Sequence, residues 1–395
     1  MKKAIQELLA RGVILPAPEA IEIGDDVPLE NIAPGVILHA GCKVFGDTTS
    51  IGPGCVLGEE TPATLDQCQL GQNVHLKGGY FSGAVFLDGA AMGSGAHVRS
   101  GTLLEEGAEM AHTVGLKQTI FFPYVVGGSL INFCDALMSG GTSRKVHSEI
   151  GSSFIHFNYT PRGDKATASL IGDVPHGVML DQPPVFLGGQ GGIAGPVRVA
   201  FGTVLAAGNV LRRDVLEPGQ LVIPPAPRPA SLPFSRAYLS ITRLLRNAAI
   251  YIGNIAALQA WYLAVRAPLM ATPEAPPHAA RCHAGALRQL AAVRKERMKR
   301  LEAVMDALAA EDPSTLPDSL RTAHAKNLSD WPALRARLTS AGDLPESPDR
   351  AAFLAAWTAA APAAYLPRLQ ALPPDVKQAG TRWLQQIVDS ASAGL

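Results

Sequence analysis

The sequence lacks a charge bias. Lys+Arg and Asp+Glu number 34 each in 395 residues, and charged residues make up only 17% of the chain. A general nucleic-acid binder carries a basic surface, so that class is excluded, whereas a local basic pocket for one anion is not. Cysteine is scarce and scattered: Cys42, Cys55, Cys68, Cys134 and Cys282 are odd in number and form no C-x-x-C pair. That excludes a zinc ribbon and a disulfide framework. The N-terminus MKKAIQELLARG has no long apolar run and no small-residue cleavage site. It predicts an N-terminal helical segment within residues 1–18, stopped by Gly12, and no signal peptide, so the expected compartment is the cytoplasm. Only residues 248–265, AAIYIGNIAALQAWYLAV, invite a membrane reading. Asn254 and Gln259 interrupt the run, and it is short for a span, so a buried or subunit-contacting helix is expected and membrane contact is not.

Glycine and proline are abundant, at 39 and 31 residues, which calls for a turn-rich architecture. From residue 92, MGSGAH, VRSGTL and LEEGAE follow one another and set Met92, Val98, Leu104 and Met110 six apart. Leu187, Ile193, Val199, Leu205 and Leu211 hold the same period, and Ile51/Leu57 and Leu70/Leu76 agree with it. An aliphatic residue every six, followed by small residues, is the signature of a hexapeptide β-helix, in which the aliphatic side chain points into a narrow core. The fold expected is mainly β, a left-handed parallel β-helix over residues 19–216, followed by an all-α C-terminal region. The period fails near 120–148, around GGTSRK, and near 173–186, DVPHGVMLDQPPVF, which read as loop insertions on a functional face. The segment 217–234 holds six prolines and reads as a stiff linker. Residues 235–395 show helical periodicity, and the charged run RKERMKR at 294–300 reads as a solvated helix face.

The stretch GSSFIHFNYTPRGDK at 151–165 concentrates polar groups in otherwise small-residue sequence. Together with the hexads it resembles a known family. R-x-G-x-x-L-x-E-G at Arg99–Gly107, Lys117 in VGLKQT, Asn158-Tyr159, IGD at 171–173, VFLGG at 185–189, GPVRV at 195–199 and VLAAGNVLRRDV at 204–215 carry the resemblance. They are similar to the C-terminal left-handed β-helix of the bifunctional bacterial enzymes that acetylate glucosamine-1-phosphate and then uridylylate it. The resemblance implies a homotrimer with sites at subunit boundaries and acetyl-CoA as co-substrate. It implies that Arg99, Lys117 and Lys165 bind the sugar phosphate, that Asn158 and Tyr159 line the sugar site, and that Gly189 and Ala207 lie beside the coenzyme.

Departures from that family are equally specific. Its catalytic histidine belongs to G-H-L-x-Y, and the aligned residues here are Gly128-Ser129-Leu130-Ile131-Asn132. Ser129 stands in the place of the base, and Asn132 in that of a sugar-site tyrosine. The glycine-rich L-x-x-G-x-G-T-x-M loop of the uridylyltransferase half occurs nowhere in this sequence, so that activity is not expected. Acyl transfer to an amine needs a base, and a hydroxyl is a poor one unaided. His156 and His147 are therefore candidate replacement bases. His156 is two residues from Asn158, which puts both on one side of a strand. Arg144-Lys145 reads as a possible phosphate clamp beside His147.

The residues thus predict a transferase that moves an acyl group to an amino-sugar phosphate or nucleotide sugar. The alternative is a non-catalytic trimer that binds nucleotide sugars or sugar phosphates, or partners a separate nucleotidyltransferase. A zinc site of the γ-carbonic anhydrase type would draw on His97, His112, His147, His156 and His176. Without H-x-x-x-x-H spacing, no metal is predicted.

Overall fold

The structure is a computed structural model that describes residues 3–157, 168–225, 229–231, 241–272, 275–343, 346–361 and 364–395. A hexad is too short to bury its own aliphatic side chain, so burial comes from stacking coil on coil. Short strands pair in parallel, and Leu38, Leu57, Leu76, Met92, Met110, Gly127, Ile150, Leu187 and Leu205 stand in one inward column. Every side chain of that column is buried. The glycine is tolerated because the Met110 sulfur lies 2.4 Å from where a Gly127 Cβ would be, filling its place. One wall of the solenoid is a ten-stranded parallel sheet, and the other two belong to a 16-stranded sheet that turns a corner.

Residues 120–148, which read as an interruption, are mostly solenoid. Strands Gly115–Phe121 and Asn132–Met138 pass through the corner at Gln118 and Asp135, both with positive φ. Phe121 and Phe133 stand among their inward residues and meet 5.6 Å apart, with Phe154 of the next coil 6.2 Å from Phe133, and these aromatics hide the aliphatic period. Only the antiparallel pair Gly141–Ser143 and Val146–His147 leaves the coil. The 173–186 segment opens with a short helix, Val174–Gly177, capped by Asp173 and anchored where the Val174 amide donates to Asn254 Oδ1 at 2.8 Å.

The helical region covers one wall. The outward column Gln69, Val85, Leu103, Ile120, Leu137 and Leu170 is buried, because helix Pro277–Ala309 and its neighbours lie over that wall. A strand covered on both sides reads as a continuous apolar run, as these do. Gly285 of that helix comes so close that a Cβ would sit 2.2 Å from Gln69 Oε1. The apolar helix Ile241–Met270 is long and apolar enough to cross a membrane, yet 72% of its most apolar window is buried inside the protein. Its Tyr251, Trp261 and Tyr262 are fully covered.

The RKERMKR run corrects the expectation of a solvated face. Arg297 is 6% exposed and forms an ion pair with Asp135, while Arg294 donates to the carbonyls of Leu338 and Thr339 at 2.9 and 2.7 Å. The run fastens the helix to a solenoid corner and to the end of helix Asp318–Thr339. Removing one partner of a buried ion pair leaves the other charge uncompensated. Arg297→Met is therefore expected to cost about 3–5 kcal/mol in chemical denaturation, most of it recovered by adding Asp135→Asn. An unchanged denaturation midpoint in the single variant would contradict the pair's role.

Candidate functional site

The wall left open by the helices carries the predicted anion-binding groups. His97 pairs with Gly115 and Gly115 with Asn132. Val98 pairs with Leu116, and Lys117 with Cys134. The Arg99 amide donates to the Leu116 carbonyl at 2.9 Å. Strand alternation turns Val98, Leu116 and Phe133 inward and leaves His97, Arg99, Lys117 and Asn132 on the outer side. Arg99, Lys117, Asn132, His97 and Cys134 line a single open groove of about 490 Å³ floored by Gly115. Among the described residues, no carboxylate lies within ion-pair distance of Arg99 or Lys117. Burial pushes the Cys134 thiol up to about 11, and the nearby Lys117 and Arg99 charges act against that rise.

Beside the groove runs a corner whose first residues are Ser94, His112, Ser129, Ser152 and Gly189. Their carbonyls accept amide hydrogen bonds from the following coil, Thr113 to Ser94, Leu130 to His112, Ser153 to Ser129, Gln190 to Ser152 and Gly208 to Gly189. The coil repeat thus sets Ser129 directly against His112, with Ser129 Oγ 2.8 Å from His112 Nδ1. The Ser129 amide donates to Ser152 Oγ at 3.1 Å. Glu60 stands on the same corner, with its carboxyl held below the usual range by hydrogen bonds from Ser94 and Lys77 and slightly by the field of His112. Gly189 and Ala207, predicted to lie beside the coenzyme, continue this line, which beyond Ser129 carries nothing larger than serine at its first corner position.

Other predicted residues fall elsewhere. Asn158, Tyr159 and Lys165 lie outside the described residues. Strand Ile155–Phe157 turns His156 inward, opposite to Ile155 and Phe157, so two-residue spacing here places the histidine on the buried side. His156 is 3% exposed; its Nδ1 pairs with the Cys134 carbonyl and its Nε2 with Ser169 Oγ at 2.8 Å. Both nitrogens are occupied, and burial pushes its pKa down to about 4. This is the geometry of a neutral core histidine, without access to a substrate amine in the protomer. His147 sits on the small hairpin, with Nδ1 2.8 Å from the Arg144 carbonyl and Nε2 3.9 Å from Glu149. Arg144 is committed to Glu109 at 3.0 Å and to the Gly107 carbonyl, so the anticipated phosphate clamp is already occupied by a carboxylate. Among the described residues no three His, Cys, Asp or Glu side chains gather as a metal site. His112 was legible as a base only through the coil repeat, 17 residues before Ser129.

No protein-family model matches the chain. It is 30% identical over 228 residues to bifunctional protein GlmU of Pelobacter propionicus, a match covering 56% of this chain and 43% of that protein. GlmU of Trichlorobacter lovleyi is 29% identical over 223 residues, covering 56% of this chain and 43% of its own length. GlmU of Acinetobacter baumannii is 28% identical over 223 residues, covering 55% and 42%.

His156 makes stability depend on pH. Its folded pKa of about 4 lies below the ordinary 6.5, so between those values the unfolded chain binds the extra proton. Stability from this group is full above the ordinary value and is lost as pH falls toward the folded one, a loss of about 3 kcal/mol. Denaturation midpoints measured from neutral to acid pH are expected to fall accordingly, and His156→Gln to flatten that slope. An unaltered slope would show that the imidazole is not held neutral.

The chain carries a parallel β-solenoid similar to part of bifunctional protein GlmU, and it spans less than half the length of these relatives.

Proposed function

We propose that this chain is a hexapeptide-repeat acyltransferase that moves an acetyl group from acetyl-CoA to the amine of a phosphorylated amino sugar. The observation that carries the reading is the position of the Arg99–Lys117–Asn132 groove immediately beside the His112–Ser129 pair. Two cations without a described carboxylate partner suit a phosphate. His112 supplies the base. When its Nδ1 donates to Ser129 Oγ, the Nε2 lone pair is free to take the proton from the attacking ammonium. The amine nitrogen then attacks the thioester carbon, the C–N bond forms as the C–S bond breaks, and the leaving thiolate takes the second proton from the nitrogen to depart as free coenzyme A thiol. The small residues Ser152, Gly189 and Ala207 leave room for the pantetheine arm along the corner.

The family resemblance extends this reading to a left-handed coil, a homotrimer and a cytoplasmic enzyme, with Lys165, Asn158 and Tyr159 completing the sugar side. The balanced charge of the chain suits a small-molecule substrate. A second reading, sugar-phosphate binding without turnover, draws on Ser129 standing where the family has its base.

Release of free thiol from acetyl-CoA, with glucosamine-1-phosphate as acceptor, tests both. Turnover is expected. His112→Ala should lower kcat by roughly 10²–10⁴-fold while sparing acetyl-CoA binding, and Lys117→Met should raise the acceptor KM by about tenfold. Saturable binding of acceptor without thiol release would favour the second reading. Absence of both would overturn the assignment of the groove.

A further inference from the structure

The groove carries a gap whose shape bears on what the phosphate is attached to. From coil to coil, its outward column reads Thr64, Tyr80, His97, Gly115, Asn132, Ile155. Each position but one projects a side chain. Gly115 has no local need to be glycine: its φ is not positive, and an added Cβ would meet nothing closer than Asn132 Oδ1 at 3.7 Å. Parallel strands stand about 4.8 Å apart, so the backbones of His97 and Asn132 are set about 10 Å apart with only the Gly115 backbone between them, and Asn132 Oδ1 leans into that gap to 3.7 Å from where a Gly115 Cβ would stand. On the far side of the gap His97 already stacks against Tyr80, with ring centroids 5.4 Å apart and planes tilted by 35°. Both rings are exposed.

We propose that this groove binds its ligand as a nucleotide, with the base seated over Gly115 between His97 and Asn132 and the phosphate on Arg99 and Lys117. The inference rests on the phosphate-site reading above and names the acceptor class as a nucleotide-linked amino sugar. A planar ring of ordinary thickness fits the gap and continues the Tyr80–His97 stack. The Asn132 amide closes the other side of the gap, with its Oδ1 already accepting from Cys134 Sγ at 3.4 Å. Arg99 and Lys117 lie two residues along the coils of His97 and Gly115, about 7 Å away on the same outer side. That matches the span from base to phosphate in a 5′-nucleotide. A bare hexose in the same place would set its hydroxyls against an imidazole face, a single amide and glycine backbone, too few polar partners to replace water.

Calorimetric titration of the full chain with UMP, AMP, glucosamine-1-phosphate and inorganic phosphate tests the proposal. At least one nucleotide is expected to bind roughly tenfold or more tightly than either of the other two ligands. His97→Ala, an exposed substitution, and Gly115→Val are each expected to erase that preference while leaving the phosphate binding that Lys117→Met weakens about tenfold. Equal affinity for nucleotides and sugar phosphate, or a preference that survives His97→Ala, would overturn the nucleotide inference and leave the sugar-phosphate site standing. If none of the four ligands binds, both readings fail together.

Discussion

The parallel hydrogen-bonded stacking of coils is the constraint on which the rest of this molecule depends. No hexad buries its own aliphatic residue, so each coil is stable only against its neighbours, and the amide ladder holds successive coils in register. That register converts a sequence separation of about one coil into direct contact. Ser129 meets His112 because the Leu130 amide must donate to the His112 carbonyl, at 3.1 Å. Arg99 and Lys117 share a groove because Val98 pairs with Leu116. The candidate site is thus built on rigid backbone, with side chains chosen coil by coil.

The helical layer decides which wall is free to use. It is joined to the solenoid by buried polar contacts as well as apolar ones. At one seam Arg266, from a π-turn at Tyr262–Arg266, makes a bidentate pair with Glu106 at 2.6 and 2.9 Å and lies 3.8 Å over the Tyr365 ring. Tyr262 donates to Glu105 at 2.6 Å, and burial pushes the Glu105 carboxyl up to about 7. At the other seam Arg297 meets Asp135 at a corner. Removing either partner of such a pair would strand a buried charge, so these contacts tie the helices to particular coils. With that wall covered, the His97–Arg99 and Gly115–Lys117 coils keep their outer side open.

Much of this was legible in the sequence. The six-residue aliphatic period located the solenoid, and the family resemblance singled out Arg99 and Lys117, which the structure brings together on one outer wall. What failed did so for physical reasons. Phenylalanine in place of aliphatic residues hid the coils of 120–148. His156 and its neighbours alternate correctly, but nothing local tells which side of a strand faces the core, and Phe133 and Ser169 settle that it is the histidine's. RKERMKR looked solvated because an arginine's partner on a distant coil, Asp135, leaves no mark near position 297. His112 appeared only among the scattered histidines until the coil repeat was applied to it.

The most direct measurement follows the imidazole resonances of carbon-13-labelled histidine while acetyl-CoA and glucosamine-1-phosphate are added to the intact protein. His112 and His97 are expected to move, because one stands at the reacting amine and the other lines the groove that takes the acceptor, while His156 and His147 stay fixed. Shifts confined to His147 or His156, with His112 and His97 still, would place the ligand elsewhere and contradict it.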